Sequence, residues 1–298
     1  MKILLFGCNG QVGWELQRAL SPLGELVALD FDTAGAWHAD FSRPPALADT
    51  IRALQPDVIV NAAAHTAVDK AEAEPALART LNAEAPAVLA AEAASAGALL
   101  VHYSTDYVFD GSGSAPRAED APTDPLNVYG ETKLAGEEAI RSSGCRHLIL
   151  RTSWVYGTRG GNFARTMLRL AQERDRLAVI DDQVGAPTGA DLLADVTAHA
   201  IRAVGSHGAP TGTYHLVAGG ETSWFGYASH VIDFARAAGL PVTVAPDAIA
   251  AVPTSAYPTP ARRPKNSRLD TTRLRQTFGL ALPPWQSGVD RMLRELLT

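Results

Sequence analysis

A tyrosine and a lysine four residues apart are the side chains of this sequence best suited to chemistry. Tyr129 and Lys133 lie in the segment VYGETK, and at this spacing they share one face of a helix. A phenol can donate a proton to a ketone, and a nearby cation lowers its ordinary pKa of about 10. We therefore predict that Tyr129 is a proton donor tuned by Lys133, with an ordinary solvated helix face as the alternative.

A threonine upstream of this pair supplies a third polar group. Thr105 follows the apolar run 99–102 within the tripeptide Ser-Thr-Asp. A ketone that accepts hydride develops negative charge on its oxygen, which needs a hydrogen-bond donor as well as a proton donor. We predict that Thr105 donates to that oxygen; capping of a strand end is the alternative.

A glycine-spaced turn near the N-terminus, GCNGQVG at residues 7–13, joins the first apolar run to a predicted helix. Glycines let the backbone approach a pyrophosphate, whose charge is favoured at a helix N-terminus. The spacing is G-x-x-G-x-x-G rather than G-x-G-x-x-G, and a bare strand-to-helix turn is the alternative. With the hydride chemistry above, the turn predicts a nicotinamide dinucleotide cofactor, whose ribose Lys133 is also expected to reach.

An acidic residue ends the second apolar run. Asp30 lies seventeen residues beyond Gly13, where its carboxylate could accept hydrogen bonds from ribose hydroxyls. It would repel a 2′-phosphate, and residues 31–42 contain no Arg or Lys to compensate. The pattern favours NADH over NADPH, with a simple turn role for Asp30 as the alternative.

Composition limits the class of protein. The chain has 298 residues, 46% of them hydrophobic, and 26 basic against 32 acidic residues give a net charge of -6. Without a basic block, nucleic acid is not an expected partner. A signal segment or membrane span is not predicted, so cytoplasmic residence is expected. Cys8 and Cys145 lack disulfide or zinc spacing and are expected to be reduced.

The order of apolar runs predicts an α/β fold, a doubly wound parallel sheet of the Rossmann type. The runs are continuous rather than alternating, which indicates burial on both faces, and the segments between them can hold crossover helices. A smaller mixed α/β C-terminal lobe, expected to hold substrate, follows. We divide the chain into a dinucleotide-binding domain, 1–153, and a mainly substrate-binding lobe, 154–298, with some segments returning to the core. The predicted strands are 3–6, 26–29, 58–60, 99–102, 148–150 and 214–217. The predicted helices include 11–20, 46–54, 191–204 and 224–238. Pro75 is predicted to open another helix, and Pro86 to divide or kink a longer one.

Longer segments of the chain resemble the extended short-chain dehydrogenases/reductases, and within them the dTDP-4-dehydrorhamnose reductase family. The similarity runs nearly end to end. It is carried by LLFGCNGQVGWELQRAL, VNAAAHTAVDKAE, HYSTDYVFDG, PLNVYGETKLAGE, RTSWVYG, DDQVGAPTG and PTPARRPKNSRLD.

The resemblance implies reduction of the 4-keto group of dTDP-4-dehydro-6-deoxy-L-mannose to dTDP-L-rhamnose, the last step of dTDP-rhamnose synthesis. Thr105, Tyr129 and Lys133 match the family's catalytic set, while Thr105, Asp106 and Trp154 match substrate-side positions, where the flat Trp154 ring suits stacking on a sugar. The matching cofactor positions are Gly7, Gly10, Gln11, Val12, Gly13, Asp30, Asp40, Phe41, Ala64, His65, Thr66, Tyr103, Tyr129 and Lys133. We expect His65 to pack or hydrogen-bond beside the dinucleotide rather than to act as an acid or base.

Three other activities are weighed against this one. Dehydration is disfavoured because Asp106 is followed by Tyr107, where the related dehydratases have Glu. A nucleotide-sugar C4 epimerase stays open, as does a non-catalytic dinucleotide-binding regulatory subunit, although a subunit of that kind has less need of the proton donor.

A Pro-rich segment of the second half contains a basic cluster, formed by Arg262, Arg263, Lys265 and Asn266. We hypothesise that this cluster faces the diphosphate of the substrate, with a solvated loop as the alternative.

The resemblance also implies a homodimer, with Mg²⁺ held by carboxylates between subunits in some members. Glu15, Asp191 and Glu295 are the positions that could contribute ligands here. Asp191 is shorter than the Glu of the family pattern.

Overall fold

The five apolar runs of the first half form parallel neighbouring strands. In the computed structural model, which describes residues 1–297, they are β1 (Lys2–Phe6), β2 (Glu25–Leu29), β3 (Val58–Asn61), β4 (Leu99–Thr105) and β5 (Arg146–Thr152). A sixth parallel strand, β10 (Gly212–His215), comes from the second half and pairs with β5. The strand order β10-β5-β4-β3-β1-β2 confirms the doubly wound fold, although β10 begins two residues earlier than the sequence predicts.

The remaining elements cover the sheet or build the second lobe. The helices are α1 (Gln11–Leu20), α2 (Pro44–Leu54), α3 (Val68–Ala73), α4 (Pro75–Arg79), α5 (Ala85–Ala96), α6 (Val128–Ser142), α7 (Phe163–Glu173), α8 (Ala190–His207), α9 (Trp224–Ala237), α10 (Thr272–Phe278) and α11 (Trp285–Leu297). Short strands form three pairs: β6 (Val155–Tyr156) with β9 (Thr188–Gly189), β7 (Leu177–Ile180) with β12 (Ile249–Val252), and β8 (Val184–Gly185) with β11 (Thr222–Ser223). Among residues 1–297, no helix is both long and apolar enough to cross a membrane.

Burial on both faces of the sheet explains why its strands are continuously apolar. Along β1, Ile3 and Leu5 belong to one hydrophobic cluster and Leu4 and Phe6 to another, and all four are fully buried. Burying each such side chain contributes about 1.5–3 kcal/mol. Both faces of the sheet are therefore covered by packed apolar side chains.

Segments of the second half return to the sheet, as the sequence analysis expects. Helix α8 packs on α1 through Leu193, Ala194 and Ile201, which share the cluster of Ile3. The rest of the second half has its own core, in which Tyr227 and Val289 are fully buried.

Pro86 divides a longer helix, as predicted. A single π-helical turn, Thr80–Glu84, precedes α5, and Pro86 lacks the N–H that would bond the Asn82 carbonyl. That carbonyl lies so close to Gly136 of α6 that any side chain there would overlap it. The proline and the glycine thus let α6, the helix of Tyr129 and Lys133, approach its neighbour closely.

Candidate active site

A cleft of about 730 Å³ opens at the carboxyl ends of the sheet strands, the edge where ligands bind in open α/β sheets. Both halves of the chain contribute to its walls. Of the residues predicted from the sequence, it is lined by Gly7, Gly10, Gln11, Val12, Asp30, Asp40, Phe41, Ala64, Thr66, Tyr103, Thr105, Asp106, Tyr129, Lys133 and Trp154.

The glycine turn permits a close backbone approach at the start of α1. Gly7 has a φ of +80°, and a Cβ there would lie 2.6 Å from the Ala63 nitrogen. Gly13 packs against the Gly7 carbonyl, so it shapes the turn from behind. Because α1 begins at Gln11, its free N–H groups face the cleft beside Gly10. This cradle fits the pyrophosphate of a dinucleotide.

Backbone donors fix the Asp30 carboxylate at the edge of the cleft. It accepts hydrogen bonds from the nitrogens of Asn9 and Phe31, both at 2.8 Å. Asp40 is held similarly by the Ser42 nitrogen at 2.9 Å. Asp30 therefore has the turn role considered above and also presents a carboxylate to the cleft.

His65 is placed differently from its neighbours. Ala64 and Thr66 line the cleft, whereas the His65 imidazole is buried with Nε2 at 3.8 Å from a Glu74 oxygen. Its backbone nitrogen donates to Asn82 Oδ1 at 2.8 Å. His65 thus anchors the strand-end segment through its backbone, which agrees with a packing role.

Tyr129 and Lys133 lie one turn apart near the start of α6. The helix is capped by Asn127, whose Oδ1 accepts from the Gly130 nitrogen at 2.8 Å. Tyr129 packs edge-on against Tyr107, with ring centroids 5.5 Å apart. Burial of the phenol raises the pKa of Tyr129 to about 12, because its effect exceeds that of the hydrogen bond with Thr105, which lowers the pKa.

Lys133 is buried and points along the strand ends rather than at the phenol. Its Nζ donates to the Tyr103 carbonyl at 2.6 Å and lies 3.1 Å from His102 Nε2. Burial lowers the pKa of Lys133 to about 8, and Glu137 opposes that shift. Burial has the largest effect on the pKa of Tyr129, and the lowering of that pKa by Lys133 stays a prediction.

Thr105 caps the end of its strand, the alternative considered for it, and its donation to a ketone oxygen stays a prediction. Its hydroxyl accepts from the Tyr107 nitrogen at 3.2 Å, which caps a short turn, and it also hydrogen-bonds Tyr129. Its neighbour Asp106 is buried, which raises the pKa of that carboxyl to about 7 against hydrogen bonds to Ser267 and Thr105. Both side chains line the cleft beside the phenol.

Trp154 reaches the cleft in a strained conformation. Its φ of +50° is rare for a residue with a side chain. One ring face stacks on Trp224 with centroids 3.6 Å apart, and the Trp224 indole nitrogen donates to Gln183 at 3.1 Å. The stack fixes the Trp154 plane in the cleft wall. Sequence reasoning missed Trp224, which lies seventy residues further along the chain and carries no local signal.

Two cations of the basic cluster, Arg263 and Lys265, are ion-paired within the chain. Arg263 makes a two-point ion pair with Asp69 at 3.0 and 2.7 Å, and Lys265 bonds Asp182 at 2.9 Å. Asn266 is buried and donates to backbone carbonyls. Arg263 and Lys265 are thus already ion-paired, which weakens the hypothesis that they face a diphosphate, while Arg262 is exposed.

The three carboxylates considered for Mg²⁺ share one surface recess, which has no lining residue in common with the cleft. Glu15, Asp191 and Glu295 line it together with Arg18 and Arg291. Arg291 lies 3.4 Å from Asp191 and 3.2 Å from Glu295, and Arg18 lies 3.4 Å from Glu15. Within the part of the chain that the structure describes, no three His, Cys, Asp or Glu groups are arranged to hold a metal ion.

The fold and the site together define a member of the extended short-chain dehydrogenases/reductases. A parallel sheet with a glycine turn after its first strand faces a cleft in which Thr105, Tyr129 and Lys133 meet.

Comparison with known proteins narrows the class to a family. The family model described as "RmlD substrate binding domain" matches residues 1–298. A dTDP-4-dehydrorhamnose reductase from Shigella flexneri is 60% identical over 100% of this chain and 99% of its own. The crystal structure of such a reductase from Clostridium acetobutylicum is 35% identical, covers 100% of both chains and superposes with a TM-score of 0.90. Another from Bacillus anthracis, in complex with NADP, is 33% identical over 99% of both chains with a TM-score of 0.88. The chain belongs to the dTDP-4-dehydrorhamnose reductase family.

Proposed function

We propose that this chain catalyses the NAD(P)H-dependent reduction of the 4-keto group of dTDP-4-dehydro-6-deoxy-L-mannose, giving dTDP-L-rhamnose. One observation carries the proposal: Thr105, Tyr129 and Lys133 meet in a cleft at the strand ends, in a chain 60% identical to a reductase of that name. Their side chains supply what the oxygen of a reduced ketone requires.

The cofactor cradle supports a bound nicotinamide dinucleotide, which supplies the hydride when present. The N-terminus of α1 and the turn at Gly7 and Gly10 would hold the pyrophosphate, and Asp30 would accept from the ribose hydroxyls. NADH is favoured, because the anionic Asp30 would lie where NADPH carries its 2′-phosphate.

The chain's own residues complete the reduction at the ketone oxygen. As hydride adds to C4, the Tyr129 phenol donates its proton to the developing alkoxide and the Thr105 hydroxyl hydrogen-bonds the same oxygen. A pKa of about 12 keeps the phenol protonated near neutral pH, which a donor needs before the reaction. Lys133 brings positive charge to this end of the cleft, where the phenolate forms.

Substrate-side contacts are proposed for Asp106 and Trp154. The carboxyl of Asp106 has a pKa of about 7, so it can donate or accept a hydrogen bond to a sugar hydroxyl near neutral pH. Trp154 lines the cleft and its plane is held by Trp224, so the part of the ring that lines the cleft would stack on the sugar.

We also propose a cytoplasmic homodimer built on the surface recess of Glu15, Asp191 and Glu295, with Mg²⁺ joining carboxylates across the interface. Trp14 lines the same recess, and 44% of this large apolar residue is exposed. Exposed apolar surface of this kind supports an interface here. Light scattering with and without a chelator tests this proposal. A monomeric mass in both conditions contradicts the dimer, and an unchanged dimer in chelator contradicts the metal.

The function is tested by offering the purified protein the dTDP-keto sugar with NADH and NADPH in turn. The proposal predicts stoichiometric oxidation of the cofactor, and formation of dTDP-L-rhamnose. Turnover without net loss of cofactor absorbance would instead indicate an epimerase. Cofactor binding with no change in the sugar would indicate a regulatory subunit.

A further inference from the structure

Two buried polar side chains adjoin Lys133 and have no part in the chemistry described above. His102 lies within β4 and Asn61 ends β3, and the sheet register places them side by side. Both are almost fully buried. Because buried polar groups require hydrogen-bond partners, the donors and acceptors of this pair are constrained.

The orientation of Asn61 determines which nitrogen of His102 carries the proton. Asn61 Oδ1 accepts from the Ala63 backbone nitrogen at 3.0 Å, so its amide nitrogen faces His102 Nδ1 at 3.0 Å. An amide nitrogen only donates, so Nδ1 must accept. Burial and the charge of Lys133 lower the pKa of His102 well below its usual value, so the ring is neutral. Its one proton is then on Nε2.

That proton faces Lys133. His102 Nε2 lies 3.1 Å from Nζ, which also donates to the Tyr103 carbonyl at 2.6 Å. A charged ammonium group has donors only, so two N–H groups would oppose each other. A neutral amine has a lone pair that accepts the Nε2–H. The contact therefore disfavours the charged form of Lys133.

We propose that His102, held in its Nε2–H tautomer by Asn61, is a positioning residue that keeps Lys133 at the Tyr103 carbonyl and weakens its hold on its proton. This inference rests on the proposed function, in which Lys133 acts on the cofactor ribose and the phenolate. Of the other ionisable groups near Lys133, Glu137 on its own helix favours the charged form. Glu137 is itself ion-paired to Arg151 of β5 at 2.6 Å.

The consequence is a titration of Lys133 close to neutral pH. Burial lowers its pKa to about 8 although Glu137 raises it, and the contact with His102 acts in the same direction as burial. Cofactor affinity should fall as pH rises through this value, because the amine attracts the cofactor less than the ammonium does.

The test measures NADH and NADPH dissociation constants by nucleotide fluorescence between about pH 6 and pH 10. His102→Gln offers an oxygen that accepts from the ammonium, so we expect the midpoint to rise by on the order of one pH unit. In Asn61→Asp the carboxylate can accept a hydrogen bond from a proton on His102 Nδ1. Nε2 then carries no proton and can accept from the Lys133 ammonium, so the midpoint should also rise. His147→Gln is the matched control, because the His147 ring lies at the amino end of β5, away from the cleft, and contacts the Cys145 carbonyl. The midpoint of this variant should stay at the wild-type pH.

A midpoint that stays at the wild-type pH in both site variants overturns the proposal. If His102→Gln does not fold, the Asn61→Asp profile decides alone. A wild-type protein that binds cofactor but leaves the keto sugar unchanged would overturn the proposed function, while the same binding profiles would still decide the role of His102.

Discussion

Gly13→Ala tests whether the glycine turn is built for close approach. A Cβ at Gly13 would overlap the Gly7 carbonyl oxygen and lie 2.7 Å from the Gly7 carbon. The distance from this Cβ to the Gly7 carbon is thus about 0.7 Å shorter than the 3.4 Å at which ordinary contact begins. Because the Gly7 atoms belong to the backbone, they cannot rotate away as a flexible side chain would. Helix α1 cannot simply withdraw, because Leu16 and Leu20 are fully buried on its inner face.

The expected cost has two parts. Overpacking of this kind destabilises a fold by about 1–3 kcal/mol, which exceeds the helix-propensity gain of about 1 kcal/mol from replacing Gly with Ala. If the start of α1 holds the pyrophosphate as proposed, displacing it would lengthen those hydrogen bonds, and losing one charge-assisted bond of about 1.5–3 kcal/mol would weaken NADH binding by tenfold or more.

The assay is NADH titration by fluorescence together with thermal unfolding. Gly205→Ala is the matched control, since Gly205 lies in the exposed part of α8 with no atom near its Cβ position. It should leave NADH affinity unchanged and unfolding unchanged or slightly stabilised. NADH binding by Gly13→Ala with wild-type affinity would refute the reasoning.

Three further predictions concern single charged side chains. Asp30→Asn should change the ratio of the NADPH and NADH dissociation constants by about tenfold in favour of NADPH, because it removes the anion that would face a 2′-phosphate. An unchanged ratio contradicts a role of Asp30 in cofactor preference. Asp106 has a folded-state pKa of about 7, above its unfolded value, so it reduces stability as pH rises from about 4 to 7. Asp106→Asn should therefore flatten the decline in free energy of unfolding across that range, and a parallel decline would contradict the assignment. Arg151→Met leaves the buried Glu137 without its two-point partner and should cost about 3–5 kcal/mol in denaturant unfolding, whereas Arg169→Met, from an exposed pair, should cost about 1 kcal/mol or less; equal losses would refute the difference.

The sequence predicts the sheet well because its signal is local. Runs buried on both faces are continuously apolar, so five strands could be placed, and α1 is bounded by the glycine turn and Pro22 as predicted. The start of β10 was placed two residues late, because its first residues, Gly212 and Thr213, are not apolar. Helix spacing likewise predicted that Tyr129 and Lys133 lie one turn apart.

The partners of the site residues could not be predicted, because they depend on contacts distant in sequence. The spacing places Lys133 one turn from Tyr129, but it gives no sign that Nζ bonds the Tyr103 carbonyl and contacts His102. The hypothesis places Arg263 at a diphosphate, but the structure pairs it with Asp69, which lies 194 residues earlier in the chain. One signal was present: His102 is a polar residue inside a buried strand, and such a residue must have partners.

The most direct test of the account is the turnover of Tyr129→Phe with the dTDP-keto sugar and NADH. Phenylalanine keeps the ring that packs on Tyr107 and removes only the hydroxyl that we propose as the proton donor. We predict that kcat falls by about 10²–10⁴, while NADH affinity and thermal unfolding stay near wild type. Tyr257→Phe, which changes an exposed tyrosine bonded to the Ala178 carbonyl, should keep wild-type kcat. A Tyr129→Phe variant that turns over within about tenfold of wild type would contradict the central claim.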